Sequence, residues 1–109
     1  MIEKPAGWSK SFEWKVLETK EKFDPKVNDQ VITWVMWGCW CKEGRFMTQA
    51  LGQLDLGPVT DDFIPWKDLN MNHKVSWVHK IIGRVAVAGY EKRLSDAIDA
   101  EQREAGYNI

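Results

Sequence analysis

The sequence predicts an α+β domain, a three-stranded antiparallel β-meander packed against two C-terminal helices. Three observations predict it. Apolar side chains recur with period two in the first half of the chain, at Phe12, Trp14 and Val16 and again at Phe46, Thr48, Ala50 and Leu54. The runs are separated by connections too short for a parallel crossover. Beyond Leu69 the apolar spacing becomes helical and stays so to about Glu104.

Residues 1–10 contain Pro5, Gly7 and Trp8, have no period, and are expected to form an N-terminal arm that is ordered only if Trp8 finds a pocket. Residues 11–109 are expected to form one domain. Its first strand covers residues 11–20, with Glu13, Lys15 and Glu18 marking the polar side. Residues 21–29, polar and holding Asp24-Pro25 and Asn28-Asp29, are expected to be a loop. The second strand, residues 30–42, is rich in β-branched and aromatic residues and is the strongest strand signal in the chain. Glu43-Gly44 turns it into a third strand, residues 45–56, in which Gly52 is expected to mark a bulge. An irregular crossing anchored by Phe63, Ile64, Trp66 and Leu69 follows. Asn70 or Asn72 then caps a helix with an apolar stripe of Val75, Val78, Ile81 and Ile82, and Gly83 ends it. The last helix, residues 84–104, carries Val87, Tyr90, Leu94, Ala97 and Ile98 at helical spacing and an expected i,i+4 pair of Asp99 with Arg103. Gly106 closes it.

Size and charge narrow what such a domain can do. A chain of 109 residues holds one domain. It buries somewhat over ~60% of its unfolded surface, enough for a core without staples. Net charge is −1, from 15 basic and 16 acidic residues, which gives no long-range field for phosphates; nucleic acid is an unexpected partner. No apolar run approaches the ~20 residues of a membrane span. Residues 1–10 lack the apolar stretch of a secretory leader, which predicts use in a reducing cytosol.

The second strand breaks the expected pattern. A strand covered on one face alternates apolar and polar residues. Here Val31, Thr33, Val35, Trp37, Cys39 and Cys41 lie on one side, and Ile32, Trp34, Met36, Gly38 and Trp40 on the other, so both sides are apolar. Two helices suffice for about one face of three strands. Val35 and Trp37 align with Phe12, Trp14 and Val16 and are assigned to the covered face, which leaves Trp34, Met36 and Trp40 outward. Either the arm with Trp8 and the stems of lysines shield that face, or it is an interface. With seven tryptophans in the chain and Trp enriched in binding hot spots, the interface reading is taken, with Trp34, Met36, Trp40 and Trp8 as its residues.

Residues able to carry chemistry are few. Cys39 and Cys41 share a face, and a disulfide across one residue would be strained, so reduced structural cysteines are expected. A metal site needs about four ligands, and only His73 and His79 could assist; six apart on a helix, they diverge. His73 is read as a solvated polar residue and His79 as a C-terminal helix residue where positive charge is welcome. Asp61-Asp62 is read as a solvated loop or cap rather than a catalytic pair. No nucleophile with a recognisable base and no glycine-rich phosphate loop occurs. The expectation is a protein without cofactor or metal, and not an enzyme.

Three segments carry a resemblance: residues 11–16 (Ser-Phe-Glu-Trp-Lys-Val), residues 63–69 (Phe-Ile-Pro-Trp-Lys-Asp-Leu), and residues 75–78 (Val-Ser-Trp-Val) ahead of a long amphipathic helix. In this order they resemble a family of small bacteriophage proteins of unknown function, whose members run from a Phe-x-Trp-Lys-Val strand through a meander to two helices. The resemblance implies a phage origin and residence in the host cytoplasm or the virion, and it gives no activity. The function expected is non-enzymatic, through contacts with itself or with another phage or host protein, as a virion-associated or assembly component. The rivals are a small effector that blocks a host protein and a binder of small ligands such as nucleotides.

Overall fold

The computed structural model describes residues 1–57 and 63–109; Pro58 and the Asp61-Asp62 pair lie outside the described residues. Strands β1 (Ser11–Asp24), β2 (Asp29–Glu43) and β3 (Phe46–Asp55) form one antiparallel sheet in the order β1-β2-β3. A 3-10 turn (Trp66–Asp68) leads to helices α1 (Met71–Ile82) and α2 (Arg84–Glu104). This is the expected meander with two C-terminal helices.

The first hairpin is longer than expected. Residues 21–24 are strand, paired with residues 29–32. They carry no apolar period because the β3 ladder reaches only to Trp34, so this part of the hairpin is a two-stranded ribbon. The turn at residues 25–28 is held by Asp24 Oδ1, which accepts from the Lys26 N–H at 2.9 Å. Asn28 takes φ 50°, a left-handed value that Asn tolerates.

Two bulges interrupt the β1-β2 ladder, at Leu17 and at Thr33. The first explains why Glu18, and not residue 17, continues the polar side of Glu13 and Lys15. The second reverses the face of what precedes it. Ile32, expected beside Trp34 on the outer face, instead joins the core cluster and is 7% exposed. The β2-β3 ladder runs without a register shift. Gly52 is therefore no bulge. It faces Trp37, whose ring would come within 2.3 Å of any Cβ at that position.

Both helices lie on one face of the sheet. Val16, Val35, Trp37, Cys39 and Cys41 are buried under Val78 of α1 and Leu94 and Ile98 of α2. Trp14 and Trp37 stack at 5.2 Å, with Tyr90 edge-on to Trp37 at 4.9 Å. Ala97, expected on the buried stripe, is exposed, and the buried position one turn beyond Ile98 is Gln102. Asp99 pairs with Lys10 of the arm at 2.6 Å rather than with Arg103. The i,i+4 pair on α2 is Lys92 with Asp96. Asn70 caps α1 by accepting from the His73 N–H at 2.9 Å, and His73 Nδ1 accepts from the Asn70 N–H in return. Gly106 ends α2 at φ 93°, with Gly106 N–H donating to Arg103 and Tyr107 N–H to Gln102, the paired bonds of a Schellman motif.

The arm is ordered against the chain's other end. Ile2 forms a parallel bridge with Tyr107. Trp8 fills the space over Gly44, between Phe46 and Tyr107, with ring centroids 6.1 and 5.5 Å away. Beneath it, Lys4 and Gln102 both donate to the buried Glu43 carboxylate, Gln102 at 2.8 Å. The molecule is long, 62 × 22 × 19 Å. Its radius of gyration is 17.9 Å, against about 13 Å for a compact chain of this length.

Candidate interaction surfaces

The structure brings Trp34, Met36 and Trp40 together on the face that no helix covers. Pairing sets their neighbours. Trp34 lies between Lys20 and Asp55, Met36 between Glu18 and Gln53, and Trp40 between Glu13 and Gln49. An apolar spine on β2 thus has polar margins on β1 and β3. Neighbouring side chains shield the spine in part: all three residues are half-buried. The Lys20 ammonium sits 4.7 Å above the Trp34 ring. Trp40 lies flat over Gly38, where a Cβ would meet its ring at 2.4 Å, and donates to Gln49 Oε1 at 3.0 Å. Met47 and Leu51, which extend the apolar area onto β3, are 52% and 54% exposed. Glu13 and Lys15 pair at 2.9 Å, and that hydrogen bond and charge hold the Glu13 carboxyl below its usual range.

Trp8, grouped with this face from its composition, is packed at the arm's docking site instead, among Gly44, Phe46 and Tyr107. Phe46 belongs to the helix side, because it pairs with Glu43 in register with Cys41 and Cys39. The arm therefore closes one end of the core and leaves the outer face uncovered.

Cys39 and Cys41 are on the covered face and have no exposed surface. Both are free thiols. Burial, then the nearby Glu91 and Cys41 charges, push the Cys39 thiol up to about 12. Burial likewise raises Cys41. No group of three or more metal-ligating side chains occurs among the described residues. His79 meets the Trp14 ring edge-on at 4.6 Å, and Trp14 Nε1 donates to Glu91 at 3.0 Å. Trp37 Nε1 and His79 Nε2 are buried without a hydrogen-bond partner among the described residues.

Sequence reasoning missed a second surface. A groove of about 690 Å³ lies where the far end of the β1-β2 hairpin, residues 63–69 and α1 converge. Val31, Ile32, Leu69 and Trp77 line its floor, and Phe23 and Ile81, half exposed, stand at its edges. The Trp66 N–H donates to Asp29 Oδ2 at 2.9 Å and ties the crossing to the hairpin. The residues come from three separated segments, so no local spacing signals the groove. The one available signal was Phe23, an aromatic in an otherwise polar stretch.

No described helix is long and apolar enough to cross a membrane. A family model described as Domain of unknown function (DUF7936) matches residues 9–107. No curated protein and no solved structure matches the chain.

Proposed function

The chain belongs to the family of Domain of unknown function (DUF7936), and from the open face of its sheet we propose that it is a non-enzymatic protein acting through protein–protein contacts. In this reading it is phage-encoded and serves as a virion-associated or assembly component. The phage assignment rests on the sequence resemblance alone. The contact assignment rests on one observation: both helices seal the same face of the sheet, so among the described residues the Trp34, Met36 and Trp40 spine has only neighbouring side chains over it. Two further features support it. The accessible surface, 7261 Å², exceeds the about 6,200 Å² expected of a monomer of this mass. The spine's margins are charged and amide groups of both signs, the arrangement of an apolar centre with a polar rim.

Burying two large apolar side chains at a contact contributes ~1.5–3 kcal/mol each before ordering costs. Analytical ultracentrifugation tests the reading. The wild type should sediment as a dimer or larger species at high concentration. The Trp34→Ser, Trp40→Ser double variant should remain folded by near-ultraviolet circular dichroism and sediment as a smaller species. A wild type that stays monomeric and is missing from purified particles by mass spectrometry removes both halves of the proposal.

A further inference from the structure

We infer that the groove at the far end of the hairpin is a binding site for a small molecule with an apolar body and a single anionic head. The site is separate from the outer sheet face and does not depend on the contact reading above. Its volume of about 690 Å³ falls within the roughly 300–1,000 Å³ of small-ligand pockets. Its floor is aliphatic and aromatic, and its polar groups are gathered at the hairpin tip and on α1. Among the described residues the hairpin tip supplies Lys22 and Lys26 against Asp24. Asp24 is committed to its own turn, accepting from the Lys26 backbone N–H at 2.9 Å. The Lys22 and Lys26 ammonium groups have no salt bridge among the described residues. Two cations beside an apolar hollow complement a carboxylate, sulfate or phosphate ester carrying a hydrocarbon or aromatic body. The body would lie on Ile32, Leu69 and Trp77, and the head would meet Lys22 and Lys26.

The walls support a ligand site more than a packing defect. Ile32 is turned into the groove floor by the Thr33 bulge, so the floor exists only because the strand breaks its alternation there. Phe23 and Ile81, 49% and 48% exposed, both line the groove. A ligand body inserted there removes both from water.

Dodecanoate below its micelle concentration is the probe. Calorimetry should give saturable binding at one per chain, with NMR shifts at Ile32, Leu69 and Ile81 and none at Trp34 or Trp40. Dodecanol should bind more weakly. The Lys22→Glu, Lys26→Glu double variant changes only exposed side chains. It should keep the wild-type melting temperature and lose roughly tenfold in dodecanoate affinity. Ile81→Asp, also at an exposed position, should abolish binding. Equal affinity for acid and alcohol, or an unchanged affinity in the lysine variant, overturns the anionic head. Shifts on the outer sheet face, no saturable binding, or binding of an acidic peptide but not of dodecanoate overturns the site.

Discussion

The two faces of β2 carry similar side chains and have different fates. On one, Val35, Cys39 and Cys41 are fully buried and Trp37 is 3% exposed, because α1 and α2 lie across them. On the other, Trp34, Met36 and Trp40 are only half-buried, because what shields them is the Lys20 stem, Gln49 and Leu51. The difference shows that hydrophobic composition does not set burial in a sheet. Cover does, and helices exclude water where flexible neighbours only thin it. A tryptophan under a helix is sealed from water; the same residue under a lysine stem stays partly open to it.

Three measurements would sharpen or break this contrast. The largest effect is expected at Trp37. Trp37→Ala empties the space that Gly52 keeps open and removes the stack with Trp14, and should cost ~3–5 kcal/mol in denaturant melts. A cost near that of Trp34→Ala on the outer face would erase the distinction between the two. Next come the residues that provide the cover. Leu94→Ala and Ile98→Ala should each destabilise by ~2–5 kcal/mol, since both are buried against the sheet. A loss below about half a kcal/mol, typical of surface positions, would mean that α2 does not seal the covered face.

The smallest effect concerns the thiols. Cys39 and Cys41 should react with a thiol reagent only after denaturation, when two thiols titrate without reductant. Fast native labelling would show the face to be open. The linkage has a definite sign. The folded Cys39 thiol titrates near 12, above its ordinary value of 9.0, so folding favours the protonated form. Its contribution is complete below about pH 9 and is lost as pH rises toward 12, so stability should decline across that alkaline range.

Much of this was legible in the sequence because it rests on local patterns. Alternation placed Trp14, Val16, Val35 and Trp37 on one face, and the Asn70 cap and Gly83 stop bounded α1. What was not legible depends on long-range geometry. A single extra residue at Thr33 turned Ile32 to the core, and no propensity marks such an insertion. Residues 21–24 form strand beyond the point where the β3 ladder ends, in a two-stranded ribbon, so they show no apolar period. Trp8 was assigned by its chemistry to the outer face. Its partner Tyr107 lies at the other end of the sequence and gives no local cue. Gln102, a polar residue that no local pattern marks for burial, is fully buried as the partner of Glu43. The groove was invisible for the same reason, being assembled from a hairpin, a crossing and a helix.

The bridge between Ile2 and Tyr107 sets an order of events during synthesis. The β1-β2 and β2-β3 hairpins join neighbours in sequence and can close while later residues are still being added. The arm cannot. Its anchors, Gly106, Tyr107 and Asn108, are made after every strand and helix of the fold, and Asn108 donates to Glu3 across 105 positions. Until they arrive, Trp8 has no Tyr107 beside it and the arm has no bridge to hold it. A growing chain therefore passes through a stage in which the meander exists and this end of the core is open to water. Truncation before Tyr107 should trap that stage and leave Trp8 accessible to a collisional quencher.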